Sequence, residues 1–340
     1  MVAVVVGAVV VAALALWELK VLLLLLFLAL VIAAAMRPGV DALARRRVPR
    51  GVGVLLHYAV LAGGVALFLW LVVPTARDQL AAAVPTSRAE LKSQAAKSTG
   101  IKHDILVAIQ KRVNRLPSAN KVVHPAVAIG VRAFEILIDI FFTFAAAAYW
   151  IFERDRVVGF VSGLFPDPKR KLVRDTWTLI DLKLGAYVRG QGLLVVFVAI
   201  VLSSSFWLIG LPFWLLIGVF AGIVELIPVV GPLTAGVVAV GVGLTSSVGV
   251  AAAAAVVLGV RLLEDYIVVP RVLGEAVGLS PLLVLVSVFS TTILFGGAAV
   301  LLAIPLAAVV GTIVQVVVLR QEPGEQEVPA VLFAAKDAEG

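Results

Sequence analysis

The stretch Phe213-Trp214-Leu215-Leu216-Ile217-Gly218-Val219-Phe220-Ala221-Gly222-Ile223-Val224-Glu225-Leu226-Ile227-Pro228-Val229-Val230-Gly231-Pro232 is apolar apart from one carboxylate, and it cannot form an undisturbed helix. Its two prolines each remove a backbone donor and clash with the preceding turn, while Gly231 permits a sharp reversal. As one helix, the surrounding run 211–243 would reach about 50 Å, well past a hydrocarbon layer roughly 30 Å thick. Two half-helices forming a re-entrant hairpin fit that length better. Backbone groups freed at such a depth are tolerated only where protein buries them or a polar cavity solvates them.

Outward from this break the chain reads as membrane. Of its 340 residues 62% are hydrophobic and 14% charged, and the mean hydropathy of +1.11 excludes an ordinary soluble domain. Apolar runs that pass the length test for a span are 1–17, 21–36, 51–74, 127–152, 191–210, 247–268, 279–295 and 298–319. The turn Trp17-Glu18-Leu19-Lys20 separates the first two as a tight helical hairpin. A signal peptide is the rival reading of the first run, but it has no basic region before Lys20 and no polar mature segment after it. The predicted fold class is therefore an all-α integral membrane protein. It has about eight transmembrane helices, a broken or re-entrant proline-glycine hairpin and an amphipathic helical extracytoplasmic segment. Whether 279–319 makes two full spans or a second re-entrant hairpin about Gly296-Gly297 is open at this level.

Lys and Arg in short loops set the orientation. Segment 37–50 carries Arg37, Arg45, Arg46, Arg47 and Arg50 against Asp41, which places it in the cytoplasm with 153–190 and both termini. Parity puts 75–126 outside, against its own Arg and Lys residues, whose density is lower than that of 37–50. The expected organisation is a three-span unit over 1–74, an amphipathic segment over 75–126, a fourth span over 127–152, a cytoplasmic amphipathic segment over 153–190, a core over 191–319 and a disordered acidic tail over 320–340. Ile101, Ile105, Ile109, Val113 and Leu116 form a helical stripe in 75–126, and Leu172, Thr176, Ile180, Leu184 and Val188 form one in 153–190. Such stripes usually pack on the protein's own spans; a lid, a membrane-surface helix or an oligomer contact is the functional alternative.

The chain has no Cys and three His, without paired ligand spacing, so no metal centre or cofactor is expected. The formal net charge of +7 describes loops at a membrane surface and not a nucleic-acid site. From 191 to 319 the charged residues are Glu225, Arg261, Glu264, Asp265, Arg271 and Glu275. A charge at the bilayer centre costs at least about 2.5–3.5 kcal/mol, so each needs a partner, a cavity or an interface. Glu225 has the least local help, and its place beside the helix break matches the geometry many secondary transporters use to hold solute and ions. Arg261 stands at i,i+3 from Glu264 and at i,i+4 from Asp265, so local ion pairing competes there with a role in an ion or proton path. The candidate pathway residues are Glu225, Pro228, Gly231, Pro232, Glu264 and Asp265. The GxxxG pair Gly218 and Gly222 allows close helix contact but is weak support for a dimer.

Several motifs occur in a telling order: Tyr187-Val188-Arg189-Gly190-Gln191, then Glu225-Leu226-Ile227-Pro228-Val229-Val230-Gly231-Pro232, then Leu263-Glu264-Asp265-Tyr266-Ile267-Val268-Val269-Pro270-Arg271-Val272-Leu273-Gly274, then Leu279-Ser280-Pro281-Leu282-Leu283. Together they resemble the autoinducer-2 exporter family of bacterial membrane permeases, most specifically over 187–310. Relatives of that kind are expected to carry a longer basic lead before the first span, which begins here at Met1. The resemblance implies eight spans in the bacterial inner membrane, cytoplasmic termini, homo-oligomers and export of small polar molecules such as a furanone-derived quorum signal. For some relatives it implies sodium or lithium exchange for protons, with a monovalent cation held transiently at Glu225 here. No P-loop is present, so the chain itself would not use ATP. A non-transporting scaffold acting through 75–126 is a third expectation. An intramembrane hydrolase finds no GxSxG or HExxH motif.

Overall fold

The computed structural model describes residues 1–83, 123–227, 230–246, 248–273, 278, 280–326 and 328–332. The described residues form helices joined by short turns, and the all-α expectation is met. In chain order they are α1 (Val2–Glu18), α2 (Lys20–Arg45), α3 (Arg50–Ala83), α4 (Val123–Gly163), α5 (Asp167–Leu208), α6 (Trp214–Val224), α7 (Val230–Thr245), α8 (Gly249–Leu263), α9 (Val269–Val272), α10 (Pro281–Phe295) and α11 (Ala303–Ile313). A π-helical turn, Glu264–Val268, joins α8 to α9, and another, Val314–Val318, extends α11.

Among the described residues, five helical stretches are long and apolar enough to cross a bilayer: Lys20–Arg45, Arg50–Gln79, Phe134–Gly163, Lys169–Leu208 and Ala299–Val318. Shorter apolar helices, Trp214–Val224, Val230–Leu244 and Pro281–Phe295, complete the set. The described outer faces of α3 and α4 expose Trp70, Phe134 and Phe141, as side chains in hydrocarbon would.

The hairpin expected at Trp17–Lys20 does not form. Leu19 N–H donates to Ala15 O and Leu23 N–H to Leu19 O, so helical bonding continues across a one-residue interruption. The physical reason is that the turn holds no Gly or Pro; Glu18 and Lys20 add charge, but charge does not break a helix. Lys20 Nζ instead lies 4.3 Å from the Trp17 ring centre, one turn away.

Segment 153–190 is not set apart from the spans on either side. α4 runs on to Gly163, and α5 carries the chain from Asp167 through the amphipathic stripe into the apolar run. With 41 and 42 residues, these helices reach roughly 60 Å, twice the hydrocarbon thickness. Pro166 caps the start of α5 with extended backbone, and Asp167 in the first turn suits the positive helix end. Within the stripe, Leu184 is fully buried among Val31 and Ala34 of α2 and Ala308 of α11, with Ile180 and Val188 beside it. Packing on the protein's own spans is thus the outcome for that stripe. The stripe Ile101–Leu116 lies outside the described residues.

α5 is the spine. Its first half packs on α2 and α4, and its second half packs on α6 and α8, with α7 lying against those two. It ends in a Schellman turn, with Leu211 N–H on Phe206 O at 2.9 Å, Gly210 N–H on Trp207 O at 3.0 Å and Gly210 at φ 73. That turn returns the chain, so α6 runs back along α5. The core here joins Val198, Leu202 and Phe206 to Ile217, Ala221, Ala235 and Val260. Beyond α11, residues 323–326 and 328–332 fold back on α5, where Val331 is buried against Ala186. This differs from the solvated tail expected there, because Val328, Pro329 and Val331 give the segment apolar side chains amid its carboxylates. Residues 327 and 333–340 lie outside the description.

Candidate transport site

α6 stops where the sequence breaks it. Glu225 closes the helix with N–H on Ala221 O, and Ile227 N–H tightens the last turn onto Val224 O. The carbonyl of Glu225, left without a continuing helix, accepts from Gln191 Nε2 of α5 at 2.9 Å. Pro228 and Val229 lie outside the described residues. α7 then starts at Val230, and Gly231 N–H donates to Ile227 O at 2.8 Å. A Cβ on Gly231 would collide with the carbonyl of Val224 and meet the amide of Glu225. Only glycine lets the two half-helices come this close.

The GxxxG pair is consumed within the chain. A Cβ on Gly218 would strike Ser203, and one on Gly222 would strike Ala199 and the carbonyl of Val195. Small residues four apart on α6 therefore face small residues four apart on α5, which draws the backbones together. This contact fixes where Glu225 sits relative to α5.

From α8, Arg261 reaches the break. Its Nη1 lies 3.4 Å from Glu225 Oε1 and 3.3 Å from Glu264 Oε2, and its Nη2 lies 2.9 Å from Asp265 Oδ1. The side chains of Glu225 and Glu264 are 10% and 4% exposed, against 44% for Asp265. The π-helical turn at Glu264–Val268 widens the helix just before Pro270, which could not donate a helical bond and would crowd the preceding turn. Local pairing of Glu264 and Asp265 with Arg261 is present as expected, and the same guanidinium also takes up Glu225.

Beside this cluster lies a cavity of about 810 Å³ between α5, α6, α7 and α8. Its walls include Val198, Leu202, Val237 and Leu258, and Pro232 sits on its rim with Glu225 and Arg261, the charged residues of the lining. Such an arrangement can do two things chemically. Carboxylates beside one arginine can hold a proton or a small cation, and the carboxylate and guanidinium edges can hydrogen-bond hydroxyl groups while apolar walls exclude water. Among the described residues no group of three or more His, Cys, Asp or Glu is placed to hold a metal ion.

The structure thus brings Glu225, Gly231, Pro232, Glu264 and Asp265 to one place. What the sequence reading missed is that Arg261 is their hub and that Gln191 supports the break. Gln191 stood within one of the shared motifs, which was the available signal.

A second charged centre joins α2, α4 and α5. Arg154 Nε lies 2.8 Å from Asp181 Oδ2, Arg37 Nη1 lies 3.6 Å from the same oxygen, and Arg154 Nη2 donates to Thr178. Arg37 also pairs with Asp41 and Asp155, and Arg50 approaches Asp41 at 3.9 Å.

Comparison with known proteins places the chain. It is 30% identical over 131 residues to "Putative transport protein YrrI" of Bacillus subtilis (strain 168), covering 38% of this chain and 37% of that one. It is 30% identical over 180 residues to "Putative transport protein sll0063" of Synechocystis sp., covering 53% of this chain and 44% of that one. The matches span less than half the length of these curated relatives. Over residues 6–319, nearly the whole chain, the sequence matches the family described as "AI-2E family transporter". With its apolar helices and its break at Glu225, this multi-pass membrane protein belongs to the AI-2E transporter family.

Proposed function

We propose that the chain is a secondary transporter that exports a small polar solute, of the class of an autoinducer-2-like signal, through a pathway that includes the α6–α7 break. One observation carries this reading. Glu225, 10% exposed at the end of a half-helix, meets Arg261 of a facing helix beside an 810 Å³ cavity. In this mechanism a solute hydroxyl donates to Glu225, and Arg261 donates to a solute oxygen. Buried apolar walls such as Val198 and Leu202 keep competing water away. Gly231 allows the half-helices to close on one another, so the break is where alternating access would flex. An ion gradient or the solute's own gradient supplies the energy. The reading includes cytoplasmic termini in a bacterial inner membrane and assembly as a homo-oligomer.

The test uses purified protein in liposomes loaded with candidate metabolites. Glu225→Gln should slow flux by about tenfold or more, since a hydrogen bond to a charged group is worth roughly 1.5–3 kcal/mol, and should flatten its pH dependence. Flux and pH profile equal to those of the native chain would remove Glu225 from the pathway.

A specific observation favours a second reading. Three carboxylates share one guanidinium at Arg261; they do not form a three-carboxylate metal cage, but their excess of negative charge would attract a sodium or lithium ion exchanged for protons. A sodium pulse applied to the same vesicles, with a pH-sensitive dye inside, separates the two. Sodium entry without proton movement rules out the antiporter.

A further inference from the structure

Two cations on α5 are held by neutral oxygens alone. Lys183 is 5% exposed, and its ammonium donates to Gln326 Oε1 at 2.6 Å and to Gln315 Oε1 at 3.3 Å. Arg189 donates from Nε to Val331 O at 2.9 Å and from Nη1 to Ala35 O at 3.1 Å. Neither takes part in an ion pair among the described residues. Buried cations in membrane proteins are ordinarily matched by a carboxylate, since neutral acceptors leave much of the desolvation cost uncompensated.

The partners divide in a consistent way. Each cation has one oxygen from the bundle, Gln315 or Ala35, and one from the returning C-terminal segment, Gln326 or Val331. That segment is seated by Val331 on Ala186, with Val328 beside it, and by those two hydrogen bonds. Arg189 also lines a cavity of about 470 Å³ between α2 and α5, whose other charged residues are Arg37, Arg45, Arg50, Asp41 and Asp181. Arg37 and Arg50 pair there with Asp41, Asp155 and Asp181, whereas Arg189 meets only neutral oxygens, and the volume admits a tetrahedral oxyanion.

We propose that Lys183 and Arg189 form an anion site for a phosphate group, and that Gln326 and residues 328–332 are a displaceable cap over it. An incoming phosphate enters the α2–α5 cavity and offers Arg189 charge-assisted bonds in place of the Val331 carbonyl, which releases the Gln326 contact and adds Lys183 to the site. The cap and the anion therefore compete. The site rests on α2, α5 and the C-terminal segment, and it stands whether or not Glu225 touches solute.

The chain contains no cysteine, so Ala330→Cys gives a single spin label on an exposed residue next to the buried Val331. Its mobility is followed in the full chain in detergent as inorganic phosphate replaces chloride at constant ionic strength. Phosphate should mobilise the label. Gln326→Ala, which removes one bond of the cap, should lower the half-maximal phosphate concentration about tenfold. Arg189→Gln, which keeps a donor for the Val331 carbonyl but no charge, should abolish the response. Nanodiscs of phosphatidylcholine and of phosphatidylglycerol identify the source of the phosphate. Release by free phosphate in the first points to a soluble anion, and release in the second without free phosphate points to a lipid headgroup. A label that stays immobile under every condition overturns the proposal, as does a response that survives Arg189→Gln. Should that variant not fold, an unchanged phosphate midpoint in Gln326→Ala has the same consequence.

Discussion

Around Asp181, Arg154 and Arg37 converge on one carboxylate oxygen, and with Arg50, Asp41 and Asp155 they form a cluster of three cations and three anions. Around Arg261, one cation faces Glu225, Glu264 and Asp265. Both centres have nearly buried members, since Asp181 is 7% exposed and Glu264 4%. They differ in charge balance and in backbone. The first sits on continuous helices α2, α4 and α5, while the second joins the end of α6 to a π-helical turn. A balanced cluster on unbroken helices ties elements together. An unbalanced one on broken helices beside a cavity retains charge that a proton, a cation or a solute can meet.

Neutralising one carboxylate in each centre breaks the comparison most directly. Asp181→Asn leaves Arg154, itself only 10% exposed, without its closest counter-charge, and should cost about 3–5 kcal/mol of stability. Glu225→Gln keeps the shape and still accepts from Arg261, whose charge Glu264 and Asp265 continue to match, so its cost should stay within about 1 kcal/mol. Unfolding of the two variants in the same detergent measures the difference. Equal destabilisation would mean that the Arg261 cluster is as structural as the other.

The helix break gives the next effect. Gly231→Ala drives a methyl group into the Val224 carbonyl, and backbone cannot swing aside as a side chain does. Overpacking of this kind costs about 1–3 kcal/mol, and flux should fall with it as the half-helices separate. Gly236→Ala is the control on the same helix. Its new Cβ would lie 3.5 Å from Val257 Cγ1, an ordinary contact, so it should be neutral or stabilise by up to about 1 kcal/mol. A Gly231→Ala protein as stable as the Gly236→Ala protein would show that the close approach is unimportant.

How far these features were legible in the sequence depends on how local their causes are. The break at 225–232 was legible because Pro and Gly act on their own turn. So was the pairing of Arg261 with Glu264 and Asp265, one helical turn away. The bond from Arg261 to Glu225 spans 36 residues, and that from Arg154 to Asp181 spans 27. Both depend on how α8 crosses α6 and how α4 lies on α5, which no local pattern encodes. The unformed hairpin at Leu19 shows the converse, since the charges of Glu18 and Lys20 suggest a chain reversal although nothing there opposes a helix. Residues 328–331, four apolar residues in a row, are hidden by the acidic composition on either side of them.

The smallest effect has the sharpest sign. Asp155 and Asp265 are the outer carboxylates of their centres, with side chains 64% and 44% exposed, so each pairing is worth only about 0.2–1 kcal/mol. Asp155 belongs to a balanced set, and Asp155→Asn should lower stability by part of that amount. Asp265 shares its arginine with two other carboxylates, so Asp265→Asn removes like-charge repulsion along with attraction. Its stability should be unchanged or slightly higher. Raising the salt concentration should shrink the Asp155 effect, because exposed pairs are screened over a distance of about 10 Å at 0.1 M. Paired thermal melts of the two variants at low and high salt read both signs. If Asp265→Asn destabilised the protein as much as Asp155→Asn, the carboxylates around Arg261 would not be in excess, and the case for a cation there would fall with that result.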